Sequence, residues 1–250
     1  MKSMMTKTST QKTKLVVIGD STSGTKLGIC SDDTIGWSEY MHLYVNTDVC
    51  EPLNKCMIGW GIRDFFNRDV KMMDRIVSSL NEGDLLIASF GTLERSALSK
   101  TGFGARGSLP GKGKESQIVY DIHYKKEYEV FTFGEYLRML ADMVKERGAK
   151  LFFMSQIPRN TWENGKHKRT YSIEYAKIMS DIAEEKNVGF LDANEILSAH
   201  LDIIGEEVSK QYYHITDKSH TTELGASIFA NVIMNQIKNK YKEDFEPIWK

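Results

Sequence analysis

Apolar residues fall along this chain in two alternating patterns. Short runs rich in β-branched and aromatic residues occupy 14–19, 53–58, 85–90, 150–155 and 188–192. Their brevity predicts strands covered on both faces. Between them lie stretches with apolar positions three and four apart, at 36–45, 62–80, 134–147, 170–186, 193–205 and 222–240. The second of these carries Ile62, Phe65, Phe66, Val70, Met73, Ile76, Val77 and Leu80, which is one helical stripe. Alternation of short strands with amphipathic helices predicts βαβ units and a parallel sheet. The expected architecture is an α/β three-layer sandwich around five parallel strands, in the order 2-1-3-4-5. One domain should span 14–250, with 1–13 as a disordered polar tail. Two stretches break the rhythm. Residues 91–118 read as a long glycine-rich loop carrying Lys100, Arg106, Lys112 and Lys114, and 119–133 as a hairpin.

Composition narrows the class without naming a function. Apolar residues make up 41% and charged residues 27%, so a disordered or collagen-like chain is excluded. Lys plus Arg number 33 and Asp plus Glu 34, for a net charge of −1. That balance argues against a partner that is nucleic acid or an anionic membrane. Three cysteines, Cys30, Cys50 and Cys56, cannot pair completely and form no CxxC, so neither zinc nor a disulfide framework is expected. The N-terminus lacks an apolar signal core, and no run of apolar residues could span a bilayer. A cytoplasmic protein is expected, or a secreted one if a leader was removed.

Ligands on open parallel sheets sit beyond the carboxyl ends of the strands. The first strand runs directly into Gly19-Asp20-Ser21-Thr22. A serine at such a junction can project its hydroxyl into a cleft, or it can cap a helix. Near the other end of the chain lies Asp217-Lys218-Ser219-His220. An Asp three residues before a His can accept the imidazole Nδ1–H, which leaves Nε2 free to take a proton from a serine. A plain solvent-exposed turn is the competing reading. A nucleotide-binding reading of Gly19 to Lys26 is the weaker rival, because Thr25 precedes Lys26 where the lysine must follow the glycine.

Taken together, these blocks resemble the SGNH (GDSL-like) hydrolase family, and within it the rhamnogalacturonan acetylesterases. The likeness runs over roughly 14–240. It is carried by Gly19-Asp20-Ser21-Thr22, Gly36-Trp37-Ser38-Glu39-Tyr40, the 54–59 segment ending at Gly59, Gly83-Asp84 with Ser89-Phe90-Gly91, Ser155-Gln156-Ile157-Pro158, Trp162-Glu163-Asn164-Gly165, and Asp217 to Ala226.

The resemblance implies a flavodoxin-like SGNH hydrolase fold and a serine esterase, deacetylating a carbohydrate without metal or cofactor. The substrate would be a small-molecule or oligosaccharide ester. Ser21 would be the nucleophile, His220 the general base and Asp217 its orienting carboxylate. The oxyanion hole would use the N–H groups of Ser21 and Gly59 together with an asparagine from a Gly-His-Asn-Asp block. That block here reads Gly91-Thr92-Leu93-Glu94, so Leu93 stands where the asparagine would be and cannot donate. Thr92 is the neighbouring hydroxyl. A weakened oxyanion hole is therefore expected, and a catalytically impaired carbohydrate-binding or scaffold protein is the alternative. Trp60 should place an indole beside the cleft. Trp162 could stack on a sugar, and the basic residues of 100–114 could face an anionic polysaccharide or simply water. His42 should be partly buried packing, while His123 and His214 could line the cleft.

Overall fold

A computed structural model of the protein describes residues 11–24, 34–68, 71–99, 106–122, 124–169 and 173–250. Cys30, Lys100, His123, the Thr25-Lys26 pair and residues 1–10 of the expected tail lie outside the described residues.

The strands are β1 (Thr13–Gly19), β2 (Cys50–Asn54), β3 (Leu85–Ser89), the hairpin β4 (Ser116–Asp121) and β5 (Lys126–Phe131), β6 (Lys150–Met154), the short pair β7 (Trp162–Glu163) and β8 (Lys166–His167), and β9 (Gly189–Leu191). The helices are α1 (Ile62–Asn67), α2 (Met72–Ser78), α3 (Phe133–Glu146), α4 (Ile173–Lys186), α5 (Ala193–Ile204), the single turn α6 (Glu206–Ser209), α7 (Glu223–Lys240) and α8 (Lys242–Phe245). The central sheet has the order β2-β1-β3-β6-β9 with every pairing parallel, which is the expected 2-1-3-4-5 arrangement.

The two-residue period of a strand sorts its side chains between two cores. Val16, Ile18, Leu86, Ala88, Leu151 and Phe153 face one side, against Phe65, Met73, Leu137 and Met179 of α1 to α4. Leu15, Val17, Leu85, Ile87, Phe152 and Met154 face the other, against Trp37, Leu197, Phe229 and Ile233. Each covering helix presents one stripe. In α7, Ala226, Phe229, Ala230, Ile233, Met234 and Ile237 are buried, and Thr222 caps the helix by accepting from the Gly225 N–H at 3.2 Å.

Four local expectations need correction. The second strand is Cys50–Asn54, not 53–58. It ends where Asn54 Oδ1 turns back to accept the Cys56 N–H at 2.9 Å, and Pro52 is tolerated because β2 is an edge strand. The 62–80 stripe is two helices, because Arg68 takes an extended conformation between them and Lys71 a left-handed one. The first predicted helix is a short 3-10 segment, Trp37–Leu43, on which His42 is exposed. Finally, Arg106 faces neither water nor a polysaccharide. It is 3% exposed, ion-paired with Asp121 and lies 3.4 Å from Asp64, with its guanidinium 4.6 Å from the Tyr124 ring centre. Buried Arg63 reinforces the same loop by donating to the carbonyls of Leu98 and Gly107. Lys112 does lie on the surface, paired with Asp181 at 2.6 Å.

Removing one member of a buried pair leaves the other charge desolvated and unmatched. Arg106→Met should therefore cost about 3–5 kcal/mol, read as a lower urea midpoint; a midpoint within error of the parent would show that Asp121 is neutralised by other means.

Candidate active site

The carboxyl ends of β1, β2 and β3 and the segment before α7 build the site. Gly19 closes β1 beside Ser89. A Cβ at Gly19 would lie 2.5 Å from the Ser89 carbonyl oxygen, so no side chain fits there and the two strand ends stay in register. The chain then turns at once. Asp20 is buried, and its Oδ1 accepts both the N–H and the hydroxyl of Thr22, each at 2.7 Å. Its carbonyl accepts the N–H groups of Ser23 and Gly24, both at 3.2 Å. Asp20 thus holds the turn, and Ser21 is left free of the capping role that was its alternative reading.

The Ser21 hydroxyl lies 2.9 Å from His220 Nε2, across a sequence separation of 199 residues. His220 Nδ1 is in close contact with Asp217 Oδ2. Asp217 Oδ1 accepts the Ser219 N–H at 2.7 Å. Nδ1 next to a carboxylate keeps its proton, so Nε2 is the acceptor toward the serine. The three expected residues therefore form one hydrogen-bonded chain.

The turn that carries His220 is braced from several sides. Tyr213 and Thr221 pair across its base. His214 and Asp217 donate within it, to the carbonyls of His220 and His214, each at 3.0 Å. The Asn160 N–H donates to the Lys218 carbonyl at 2.7 Å, and the Tyr213 hydroxyl to the Pro158 carbonyl at 2.9 Å. Gly225, in the first turn of α7, would place a Cβ 2.0 Å from the Tyr212 carbonyl oxygen, so only glycine permits that approach.

The oxyanion candidates divide. Among the described residues, the N–H groups of Ser21 and Gly59 donate to no acceptor. Gly59 has a left-handed backbone, with φ of 69°. The Leu93 N–H is already committed to Glu94 Oε2 at 3.1 Å. The Thr92 hydroxyl is buried and has no hydrogen-bond partner. Trp60 departs from expectation. Its indole packs in the core, edge-on to Phe65 at 5.5 Å and beneath the Arg68 guanidinium at 4.2 Å. Trp162 is half-buried, with its indole N–H donating to Asn160 at 2.8 Å. His214 is half-buried and bonded to Thr216 within its own turn.

No family model matches the chain. The rhamnogalacturonan acetylesterase of Emericella nidulans is 25% identical over 226 residues, covering 89% of this chain and 84% of that protein. The uncharacterized esterase YxiM of Bacillus subtilis is 23% identical over 228 residues, covering 90% of this chain and 52% of its own length. The YxiM crystal structure superimposes with a TM-score of 0.70 at 20% identity, over 92% of this chain and 57% of that one. Over about nine-tenths of its length the chain is thus similar to proteins named as esterases, and it shares the fold of one of them. An acetyl xylan esterase structure, AlAXEase, shares the fold at a TM-score of 0.57 and 14% identity, over 90% of this chain and 99% of that one. The chain spans most of its fungal relative but only about half of YxiM.

Sequence reasoning missed Glu94. It is 1% exposed and takes three backbone N–H groups, from Ile62 at 2.9 Å, Gly91 at 2.8 Å and Leu93 at 3.1 Å. An acidic residue three places after a glycine that ends a buried strand was the available signal. Burial pushes its carboxyl up from the ordinary 4.5 to about 7, opposed by backbone N–H groups that include those of Ile62 and Gly91 and helped by the nearby charge of Asp20. The native state thus keeps a proton that the unfolded chain releases near 4.5. Stability from this group is full below 4.5 and declines as pH rises toward 7, by roughly 3 kcal/mol in all. Urea midpoints should fall between pH 5 and pH 8, and Glu94→Gln should flatten that slope; an unchanged slope in the variant would assign the trend to other groups.

Proposed function

We propose that the protein is a carboxylic-ester hydrolase that deacetylates a carbohydrate through Ser21, His220 and Asp217. The observation that carries this reading is the hydrogen-bonded chain from the Ser21 hydroxyl through the imidazole to the Asp217 carboxylate. The names of the relatives, acetylesterases of rhamnogalacturonan and xylan, support the ester and carbohydrate parts.

The arrangement suits acyl transfer in two halves. His220 Nε2 takes the Ser21 proton as Oγ bonds to the ester carbonyl carbon, and the carbonyl electron pair moves onto oxygen. The N–H groups of Ser21 and Gly59 would face that oxyanion. Collapse expels the sugar alkoxide, which leaves with the proton from His220. Water then attacks the acetyl-serine by the same route, releasing acetate and restoring the Ser21 hydroxyl. Asp217 holds the imidazole in the tautomer this requires and stabilises its cationic form. No step calls for a metal or an organic cofactor.

Leu93 sets the rate of this scheme. A leucine offers no donor and puts apolar surface beside a developing negative charge. Losing one oxyanion donor costs about 10²–10³ in rate, so two donors leave a slow enzyme. Leu93 is also the observation that favours the second reading, a carbohydrate-binding protein that no longer turns over.

Labelling with a fluorophosphonate separates the two readings. A working site should be phosphonylated on Ser21 in the parent, with loss of fluoride, and not in Ser21→Ala, which should also lose hydrolysis of 4-nitrophenyl acetate; an unlabelled parent favours the binding reading. Leu93→Asn should raise kcat by roughly ten-fold or more with little change in KM, as expected for a donor acting in the transition state. An unchanged kcat in a folded Leu93→Asn protein would mean that this side chain does not face the oxyanion.

A further inference from the structure

The buried carboxylate of Glu94 takes no part in the chain from Ser21 to Asp217, yet it lies between the two loops beside it. Oε1 accepts the N–H of Ile62, the first residue of α1, which follows directly on Gly59-Trp60-Gly61. Oε2 accepts the N–H groups of Gly91 and Leu93, in the loop that leaves β3. The contact is tight, since a Cβ at Gly61 would lie 3.0 Å from Glu94 Oε1. The opposite end of Glu94 is tied down as well. Its carbonyl accepts the Ser108 N–H at 2.9 Å, which anchors it to the segment held by Arg63 and Arg106. Asp64 completes the frame by accepting the Gly61 N–H at 3.1 Å.

Above about pH 7 the Glu94 carboxyl is ionised, and in that form it offers the three converging N–H donors several lone pairs and no competing donor. A glutamine of the same length offers one oxygen and turns an NH₂ toward at least one of those N–H groups. An aspartate keeps the charge but is one methylene too short to serve both loops. The residue is therefore matched to the gap between the loops in charge and in length.

We infer that Glu94 is a positioning residue for the oxyanion hole, clamping the Gly59–Ile62 segment against the Gly91–Leu93 loop so that the Gly59 N–H keeps its aim. The kinetic side of this inference rests on the esterase reading above, whereas the clamp does not. With the side-chain donor absent at Leu93, the Gly59 N–H carries a larger share of the oxyanion's stabilisation. A displacement of about 1 Å can cost on the order of 10² in rate.

The test compares the parent with Glu94→Gln and Glu94→Asp in two measurements at pH 8.5, where Glu94 is ionised. The first is amide hydrogen exchange resolved by NMR at Ile62, Gly91 and Leu93. The second is kcat and KM for 4-nitrophenyl acetate, with fluorophosphonate labelling of Ser21 alongside. In Glu94→Gln, exchange at these amides should quicken by roughly ten-fold or more, and kcat should fall by on the order of 10² while KM stays within about two-fold. Glu94→Asp should recover protection at Gly91 and Leu93 but not at Ile62, with an intermediate kcat. Parent-like exchange and parent-like kcat in a folded Glu94→Gln protein would overturn the clamp. Faster exchange with unchanged kcat would overturn its role in catalysis. A parent without esterase or phosphonate reactivity would defeat the esterase reading, and the exchange data would still decide the clamp. If Glu94→Gln does not fold, Glu94→Asp carries the same comparison through the contrast between Ile62 and Leu93.

Discussion

Burial of both faces of β1 is the constraint on which the rest of the molecule depends. Leu15 and Val17 lie in one core while Val16 and Ile18 lie in the other. A strand apolar on both sides must sit inside the sheet, flanked by neighbours and covered by helices. Once β1 lies between β2 and β3, its carboxyl end comes level with theirs. Gly19 then meets Ser89, Asp20 starts its turn, and Ser21 emerges at the sheet edge. The placement of the serine thus follows from hydrophobic patterning several residues upstream.

The polar parts of the site follow a different rule. Asp20, Asp64, Glu94, Arg63 and Arg106 are all buried, and each is matched to backbone groups or to an opposite charge. Loops that cross the end of a sheet cannot pair their N–H and C=O groups in a ladder, so side chains supply the partners. That is how the described parts of the long 91–118 segment, 91–99 and 106–118, are held with few apolar anchors. It is also why its arginine points inward, where a reading based on charge alone placed it in solvent.

The fold was legible because its signals are local. Strand runs, helical stripes and their alternation predicted the sheet order, and caps such as Thr222 sit where the pattern begins. The Ser21, Asp217 and His220 constellation was legible because spacing and strand-end position carry it. Other features depend on contacts between distant segments. The break at Arg68 comes with its contacts to Trp60, Asp64 and Tyr124. The 53–58 run reads as a strand until Asn54 folds back on Cys56. Trp60 looked like a cleft residue because its neighbours were glycines, and the presence of Phe65 and Arg68 around the ring is a tertiary fact. Glu94 was read as a departure from a motif, and its three N–H partners come from two loops about thirty residues apart.

The Ser21–His220 hydrogen bond joins residues 199 positions apart. Closing so long a loop costs entropy that only a folded sheet and a docked α7 can offset. During synthesis, Ser21 leaves the ribosome long before His220 exists. On the esterase mechanism proposed above, the serine would therefore gain its base only on completion of the chain, and any product cut short before His220 would be chemically silent however well its first strands fold.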